Sequence, residues 1–463
     1  MKVDPGQLPL ANHVQPTMPE ARRFRNSRAF GTRGAESGHD PVMTTTSSAR
    51  LAVVNAWIRN TFRSMRRYNY RVWAAGAIVS NTGTWMQRIA QDWLVLTQLT
   101  QHSGTSVGVV MSLQFGPPIV LMPLAGMLAD RVDHRSMLLA TQSAMAATAL
   151  SLGLLVITGM VTLWHVYLFA GLMGCISSFD SPVRQIFIAE LVGDEDLPNA
   201  VALNSSMFNS AQLIGPAVAG LMIAAVGTGW LFILNGLSFL AVIASLMKMR
   251  TGELRHLPKD GSSGATMADG LRYVWQHPDL LIALTMLFLV GTYGLNFPIF
   301  ISTMSVTTFH GGPHLYGALS STMAVGSVIG SLLSAQREKP RLLVPAASAF
   351  AFGVTCTIAA LMPNVWTFGV TLIALGAVAQ TFTTSTNSLV QLRTQPSMRG
   401  RVMAIYMAIF LGCTPLGAPL VGWVADVFGP RWAIAVGATS GFVATIIAFA
   451  YHRHRTINTR IKN

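Results

Sequence analysis

Twelve long apolar runs, separated by short polar turns, occupy most of the sequence. We place them at roughly residues 71–98, 105–128, 136–158, 162–188, 198–224, 229–249, 279–304, 314–335, 342–361, 364–391, 401–426 and 430–451. Each run has about 20 residues or more, which is the length that a helix needs to cross a bilayer. Only 11% of the 463 residues are charged, whereas soluble domains have about 25%. The sequence therefore predicts an all-α membrane protein with twelve transmembrane helices.

One long interruption divides these runs into two groups of six. Residues 250–278 are polar and include a Gly-Ser-Ser-Gly stretch, so we expect a cytoplasmic linker there. The linker would join an N-terminal six-helix bundle at residues 71–249 to a C-terminal six-helix bundle at residues 279–451. The two halves also repeat a Gly/Pro pattern, because residues 215–220 align with residues 417–422. Such parallel repeats are typical of secondary transporters.

The ends of the chain are polar. Residues 1–50 are basic and poor in aromatic side chains, which is typical of disorder. Residues 51–70 place apolar side chains at helical spacing with Arg between them. This pattern predicts an amphipathic helix on the cytoplasmic membrane surface or, equally, a simple extension of the first span. Residues 452–463 are expected to form a cytoplasmic tail.

Positive charge lies almost entirely on one side of this predicted topology. The formal net charge is +14. With the amino terminus inside, the inner loops and tails contain nearly all Lys and Arg, and the outer loops contain only Arg431. Membrane proteins keep such an excess on the cytoplasmic side. We therefore expect a multi-pass plasma-membrane protein with both termini in the cytoplasm, and no nucleic-acid interface.

The sequence lacks the motifs of an enzyme, a metal centre or an ATP-driven pump. Cys175, Cys356 and Cys413 lie in apolar runs without a CxxC or His/Cys cluster, so no zinc site or disulfide framework is predicted. A phosphate-binding Gly-rich loop is also missing. We expect no cofactor and no enzyme activity. The expected partners are a small-molecule substrate, protons and the lipid bilayer, with the chain acting as a monomer.

The first run contains the clearest polar pattern. Asn81, Trp85, Arg88 and Asp92 recur at helical spacing and so share one helix face. A charge deep in a bilayer costs about 2.5–3.5 kcal/mol on insertion scales, so it survives only facing protein or water and is usually paired. Asp92, one turn after Arg88, is the expected ion-pair partner. The pair is either a proton- or substrate-linked site in a central cavity or a structural ion pair.

Other polar side chains could line the same cavity. Large cavities with a few polar groups in an apolar wall are the usual ligand sites. Each side chain could instead make an ordinary interhelical hydrogen bond. The candidates, together with Asn81 and Trp85, are Gln114, Asn209, Gln212, Tyr293, Asn296 and Asn387. Asp426, near the outer end of run eleven, is expected to be an interfacial residue.

A charged turn of the pattern Gly-x-x-x-Asp-Arg-x-x-x-Arg joins runs two and three at residues 126–135. Gly126 is expected to let two helices approach closely. Asp130 could accept hydrogen bonds at a helix N-terminus, and Arg131 and Arg135 could pair with carboxylates or lipid phosphates. We expect a gating loop at the inner surface. The alternative is a solvated turn that only sets topology.

Two proline-containing segments are further candidates. Asp180 and Arg184 flank a proline at the end of run four and predict an inner gate element, or only a kinked helix end. Gly215, Pro216 and Gly220 lie in run five. There the proline would bend the helix, and the small residues would allow close packing and rocking. Ordinary small-residue packing is the simpler alternative.

These motifs resemble the major facilitator superfamily. Residues 126–135 resemble its loop between helices 2 and 3, and residues 215–220 resemble the helix-5 signature of its exporters, with Ala219 where a Gly is usual. Three further segments resemble the bacterial branch that exports drugs and siderophores: Trp85-Met-Gln-Arg-x-Ala-Gln-Asp-Trp93, Ser181-Pro-Val-Arg-Gln185 and Arg399-Gly-Arg-Val-Met403. The resemblance covers residues 71–451.

The resemblance implies a secondary transporter of two six-helix bundles. It would export amphipathic small molecules of the drug or siderophore type by alternating access and proton antiport. Many proton-coupled members have an Arg inside helix 4, which residues 162–179 lack. That difference makes Asp92, with Arg88 beside it, the expected proton site. A lipid flippase, or a non-transporting membrane sensor or scaffold on the same fold, is the alternative.

Overall fold

The structure is a computed structural model that describes residues 61–129, 131–193, 195–255, 267–335 and 342–462. Within these ranges the chain is almost entirely helical and has no β-strand. Its α-helices are α1 (Tyr68–Leu94), α2 (Gly104–Ala129), α3 (His134–Ile157), α4 (Leu163–Val192), α5 (Leu197–Val226), α6 (Thr228–Lys248), α7 (Met267–Gln276), α8 (Pro278–Tyr293), α9 (Phe297–Thr303), α10 (Pro313–Ala335), α11 (Leu343–Leu361), α12 (Val365–Arg393), α13 (Arg399–Phe428) and α14 (Pro430–Lys462).

These helices follow the twelve predicted runs. Among the described residues, 11 segments are long and apolar enough to cross a membrane, with α8 and α9 forming one segment, Pro278–Thr308. Helix α1 has 27 residues, enough to span a bilayer, but its polar face lowers its mean hydropathy. Helix α7 has only 10 residues. The predicted all-α membrane fold is therefore confirmed.

Several predicted segments fall outside these ranges. Residues 1–60 and the middle of the predicted linker, residues 256–266, are not among the described residues. The predictions for the N-terminal tail and for the first half of the amphipathic segment, residues 51–60, therefore stay predictions. The described end of that segment contains a short 3-10 turn, Arg63–Arg66, directly before α1. Helix α14 continues to Lys462, through the predicted C-terminal tail.

The seventh span is broken in its middle. Helix α8 ends at Tyr293 and α9 begins at Phe297, with Pro298 in the first turn of α9. A proline is tolerated there because the first amides of a helix lack intrahelical partners. The side-chain amide of Asn296 donates to the Thr292 carbonyl oxygen at 2.7 Å. The break turns the chain toward the centre of the molecule.

The two halves end their first spans in the same unusual way. Helix α1 continues into a π-helical turn, Val95–Leu99, and α9 continues into another, Met304–Thr308. Each turn is followed by a histidine in the left-handed region, His102 at φ 63° and His310 at φ 49°. Such values are uncommon outside glycine. Their recurrence at matching places supports the predicted internal repeat.

Two helix pairs join the halves through glycine contacts. A Cβ on Gly108 of α2 would lie 2.3 Å from the Ala418 carbonyl oxygen of α13. At the matching place, a Cβ on Gly317 of α10 would lie 2.3 Å from the Pro216 carbonyl oxygen of α5. Helix α2 therefore packs on α13 as α10 packs on α5. This confirms the predicted alignment of residues 215–220 with residues 417–422.

Helices α2 and α13 diverge toward the other end of the molecule. A Cβ on Gly116 would lie 4.0 Å from its nearest neighbour, Pro415. Gly126 follows Gly108 by about five helical turns and so faces the same way, yet no atom of the described residues lies within 4 Å of a Cβ there. The prediction that Gly126 brings two helices together is therefore wrong for this conformation. We call the end at Gly104 the closed end and the end at Gly126 the open end.

Candidate functional site

A cavity of about 350 Å³ lies between the two halves. Helices α1, α2 and α5 line it from the first half, and α8, α9, α10 and α13 line it from the second. Most of its wall is apolar and aromatic. The residues that form it include Trp85, Arg88, Ile89, Asp92, Met111, Gln114, Phe115, Gln212, Pro216, Leu295, Phe297, Pro298, Ile301, Tyr316, Ser320, Met323, Phe410 and Thr414. This volume is in the range of small-molecule pockets.

A buried hydrogen bond crosses the cavity from one half to the other. The hydroxyl of Tyr316 on α10 donates to Oδ2 of Asp92 on α1 at 2.8 Å. Asp92 is 7% exposed and Tyr316 is 1% exposed. Asp92 is also the only acidic side chain in the described wall of the cavity. The single carboxyl group at the site is therefore bonded directly to the opposite half.

The expected ion pair between Arg88 and Asp92 is absent. The guanidinium carbon of Arg88 lies 4.7 Å from the ring centroid of Trp85 and 5.4 Å from that of Phe115. Among the described residues, no ion pair within 4.0 Å involves Arg88. Cation–π attraction to the two rings holds the guanidinium, while Tyr316 holds the carboxylate. Three of the four residues on the predicted face, Trp85, Arg88 and Asp92, line the cavity, and the predicted ion pair is not formed.

The structure separates the predicted cavity residues into two groups. Trp85, Gln114 and Gln212 line the cavity, together with Arg88 and Asp92. The others are outside its wall: Asn81, Asn209, Tyr293, Asn296 and Asn387. Helical spacing identified most of the cavity residues on α1. Polarity alone, which selected the candidates on the other helices, identified fewer.

The excluded residues have clear local explanations. Asn81 and Asn209 lie about one turn nearer the open end than Trp85 and Gln212. Asn296 is 0% exposed, and its side-chain amide donates to the Thr292 carbonyl oxygen at the break between α8 and α9. Tyr293 is the last residue of α8 before that break. Asn387 accepts a hydrogen bond from Gln391 at 2.7 Å within α12.

Sequence reasoning missed the second half's main contribution. Tyr316, Phe297 and Phe410 line the cavity, and none of them was among the candidates. The available signal was the helical spacing of Tyr316, Ser320 and Ser327 in run eight, which puts three polar side chains on one face. The partner of Tyr316 lies 224 residues away in the sequence, so no local pattern could identify the contact.

The predicted gating loop is tied to the first half. Asp130 lies outside the described residues, and Arg131 is exposed. The Arg135 side chain donates to the Leu246 carbonyl oxygen at 2.9 Å, at the end of α6. Asp133 caps α3 by accepting from the Ser136 amide at 2.8 Å. Partial burial opposes ionisation of Asp133, but the Ser136 hydrogen bonds and nearby positive charge lower its pKa below the usual value.

The second predicted gate element is a buried cluster. Asp180 accepts hydrogen bonds from Thr141 and Gln142, each at 2.7 Å. It also forms an ion pair with Arg184 at 2.7 Å. The Arg184 guanidinium lies 5.4 Å from the ring centroid of Trp73. The cluster therefore joins α1, α3 and α4 within the first half, and its described partners include none from the second half.

The helix-5 motif lies at two close helix crossings. A Cβ on Gly215 would lie 2.6 Å from Cβ of Trp85 on α1. A Cβ on Gly220 would lie 2.7 Å from the Pro313 carbonyl oxygen at the start of α10. Such distances leave no room for a larger residue. The predicted close packing at Gly215, Pro216 and Gly220 is confirmed. It brings α5 against α1 of its own half and against α10 of the other half.

Asp426 has a more specific role than the predicted interfacial one. From α13 its carboxylate accepts hydrogen bonds from the Thr105 amide at 2.9 Å, the Thr105 hydroxyl at 2.6 Å and the Ser103 hydroxyl at 3.0 Å. It also accepts from the Gly104 amide. A carboxylate at a helix N-terminus is stabilised by the free amides and the helix dipole. Asp426 therefore caps α2 from the opposite half at the closed end.

Replacing Asp426 by Ala is expected to separate the halves at the closed end. Loss of an N-cap costs about 1 kcal/mol, which favours the separated state about five-fold. Pulsed spin-label distances between Gln101 and Phe428 should show a larger long-distance population. The control Asp426→Asn keeps one acceptor oxygen and should shift the population less. Unchanged distances in both variants would contradict this role.

Comparison with known proteins agrees with the fold. A family model described as transmembrane secretion effector, from the major facilitator superfamily, matches residues 59–460. The chain belongs to the major facilitator superfamily. Members of this superfamily are transporters rather than enzymes. With its many membrane-spanning helices, the chain is a multi-pass protein of the inner membrane.

Relatives in the superfamily include siderophore and drug transporters. The staphyloferrin A transporter of Staphylococcus aureus is 24% identical over 375 residues, covering 80% of this chain and 93% of the relative. The macrolide efflux protein A of Streptococcus pyogenes is 23% identical over 389 residues, covering 79% and 92%. The enterobactin exporter of Escherichia coli O1:K1 is 24% identical over 357 residues, covering 76% and 84%.

Solved transporters share the same fold at lower identity. A bacterial homolog of the human lysosomal transporter Spinster aligns with a TM-score of 0.65 at 14% identity, covering 84% of this chain and 98% of that chain. A nucleoside transporter aligns with a TM-score of 0.64 at 15% identity, covering 83% and 98%. Chains of different transport function therefore share this architecture, so the substrate must be inferred from the cavity.

Proposed function

We propose that this chain exports amphipathic small molecules by alternating access, driven by protons entering the cell. The observation that supports this best is the Asp92–Tyr316 hydrogen bond. It places a carboxyl group in the cavity and across the boundary between the halves. An ionised carboxylate accepts a stronger hydrogen bond than a neutral carboxyl group does. Gain or loss of a proton at Asp92 therefore changes the contact between the halves.

The distribution of charge suggests which way the cavity faces. The open end contains Arg131, Arg250 and Arg393, whereas Arg431 is the only Lys or Arg among the described residues at the closed end. Cytoplasmic ends of membrane proteins have such an excess of positive charge. We therefore assign the open end and both termini to the cytoplasm. In this conformation a substrate would enter the cavity from inside the cell.

The predicted gate residues have proposed roles in this transport cycle. When the open end closes, α13 would approach the face of α2 that contains Gly126. The adjoining loop, with Asp130, Arg131 and Arg135, would then contact the second half. The Asp180–Arg184 cluster would hold α3 and α4 rigid behind that loop. The bend and close packing at Pro216 would let α5 rock between the two states.

The names of the relatives support outward movement of a drug- or siderophore-type molecule. One relative is named as an enterobactin exporter and another as a macrolide efflux protein. Their alignments cover more than three quarters of this chain. The helix-5 motif of exporters is matched at Gly215, Pro216 and Gly220. Export rather than uptake is therefore the direction that we assign to this chain.

Transport in proteoliposomes tests the proposal. Vesicles that contain the chain should move at least one member of a labelled panel, comprising ethidium, 2-naphthoate, 2-naphthamide and erythromycin, against its gradient. An imposed pH gradient should drive this movement, and a protonophore should stop it. Empty vesicles are the control. Movement of a headgroup-labelled phospholipid instead would favour a flippase, and no movement of any probe would contradict transport.

A further inference from the structure

We infer that the cavity selects substrates with an anionic group, which binds the Arg88 guanidinium, attached to a planar or otherwise apolar body. The inference rests on the proposed export function and specifies its substrate class. Arg88 is the only basic side chain and Asp92 the only acidic side chain in the described wall of the cavity. The protein provides a hydrogen-bond partner for the Asp92 carboxylate but not for the Arg88 guanidinium.

The Asp92 carboxylate already has a protein partner. Tyr316 donates to one of its oxygens at 2.8 Å, and the residue is 7% exposed. A cationic substrate would have to compete with this bond and would also approach the positive charge of Arg88. The cavity is therefore unfavourable for a cation next to α1.

The Arg88 guanidinium has no such partner. Among the described residues it makes no ion pair and no hydrogen bond, and its contacts are the faces of Trp85 and Phe115 at 4.7 and 5.4 Å. A guanidinium has five N–H donors in a fixed planar arrangement that matches a carboxylate. Two aromatic rings orient the group without using those donors. Arg88 is therefore held in place with its hydrogen-bonding capacity free for a ligand.

The rest of the wall suits an apolar body. Met111, Phe297 and Phe410 surround the remaining space, whose volume is about 350 Å³. The nearby charge of Asp92 acts on Arg88 only at a distance, because that carboxylate is bonded to Tyr316. An anionic group would give the Arg88 guanidinium the direct partner that a cation away from bulk water requires. The membrane potential favours the same class, because an anion that leaves a negative-inside cell moves down the electrical gradient. Binding chemistry and driving force therefore agree on an amphipathic anion.

Binding of three matched naphthalene probes tests the inference. 2-Naphthoate, 2-naphthamide and 2-naphthylmethylammonium share one ring system and differ in charge. With the full chain in lipid nanodiscs and empty nanodiscs subtracted, naphthoate should bind about ten-fold or more tightly than the amide, since hydrogen bonds to charged groups have that strength. Arg88→Gln should remove this preference while leaving amide binding within about two-fold. Retained amide binding also shows that the variant folds.

Two further variants act as controls. Arg88→Lys keeps the charge without the planar donors and should retain part of the preference. Arg272→Gln removes an exposed cation on α7, outside the cavity, and should retain all of it. Equal binding of the three probes by the natural chain would overturn the inference, and so would a preference that survives Arg88→Gln.

Flux measurements separate this inference from the proposed function. If proteoliposomes export the probes under a pH gradient but show no preference for naphthoate, the anion inference fails and export stands. If naphthoate binds preferentially at Arg88 but no probe is driven across the membrane, export fails and the anion site stands. The two results cannot be confused, because binding is measured without any gradient.

Discussion

Replacing Asp92 by Asn is expected to abolish proton-driven accumulation of substrate. Asn keeps the size of the side chain and can still accept from Tyr316, but it cannot bind and release a proton. One pH unit is worth about 1.4 kcal/mol, so each exchanged proton sustains about a tenfold substrate gradient. In proteoliposomes with an imposed gradient of one pH unit, the ratio of substrate concentrations across the membrane should be about ten for the natural chain and one for Asp92→Asn. The measurement is the steady-state distribution of a transported probe.

Three controls make the Asp92 result specific. Exchange of labelled for unlabelled probe without any gradient should persist in Asp92→Asn, since the cavity remains intact. Tyr316→Phe keeps the carboxyl group but removes its partner in the second half, so accumulation should fall partly. Glu253→Gln removes an exposed acid whose surface ion pair with Arg250 should contribute little. Full accumulation by Asp92→Asn would exclude Asp92 as the proton carrier.

Adding one methyl group at Gly108 is expected to prevent closure of the closed end. The new Cβ of Gly108→Ala would lie 2.3 Å from the Ala418 carbonyl oxygen, and a helix backbone cannot move aside as a flexible side chain can. Overpacking costs about 1–3 kcal/mol, which shifts the closing equilibrium roughly five- to 150-fold. The spin-label distance between Gln101 and Phe428 should lengthen, and export should fall with it.

A nearby glycine provides the matched control. A Cβ on Gly116, on the same helix, would meet only Pro415 at 4.0 Å, so Gly116→Ala should leave both distance and export near the natural values. The repeat predicts a second disruptive site, because a Cβ on Gly317 would lie 2.3 Å from the Pro216 carbonyl oxygen. Gly317→Ala should therefore resemble Gly108→Ala. Normal closure in both variants would show that the glycine contacts do not determine the closed state.

Features that depend on local pattern were predicted well. The helices followed from runs of apolar residues, and the cavity-facing side of α1 followed from the helical spacing of Trp85, Arg88 and Asp92. The glycines at residues 215–220 and 417–422 were aligned because the halves repeat. The helices and the face of α1 follow from spacing within one helix, and the glycine alignment follows from comparing the two halves of the sequence. Prediction therefore required no knowledge of neighbouring helices.

Features that depend on partners in other helices were not predicted. Spacing alone suggested that Arg88 pairs with Asp92, but the rings of Trp85 and Phe115 hold Arg88, and Tyr316 holds Asp92. Asp426 was expected to be only interfacial, yet it caps a helix that begins more than 300 residues earlier. Five of the polar cavity candidates proved to serve local structure or to lie nearer the open end.

The sequence by itself determined that the chain forms membrane-spanning helices in a repeated order. The physical reason is that lipid offers no hydrogen bonds to the backbone. Each apolar run must therefore form a helix, in which its backbone amides bond to its own carbonyl groups. The tertiary structure alone decided where the halves meet, and which charge is satisfied and which remains free. Those outcomes depend on distances between helices far apart in the chain, where lipid-like surroundings make many packings nearly equal and a few polar and glycine contacts select one.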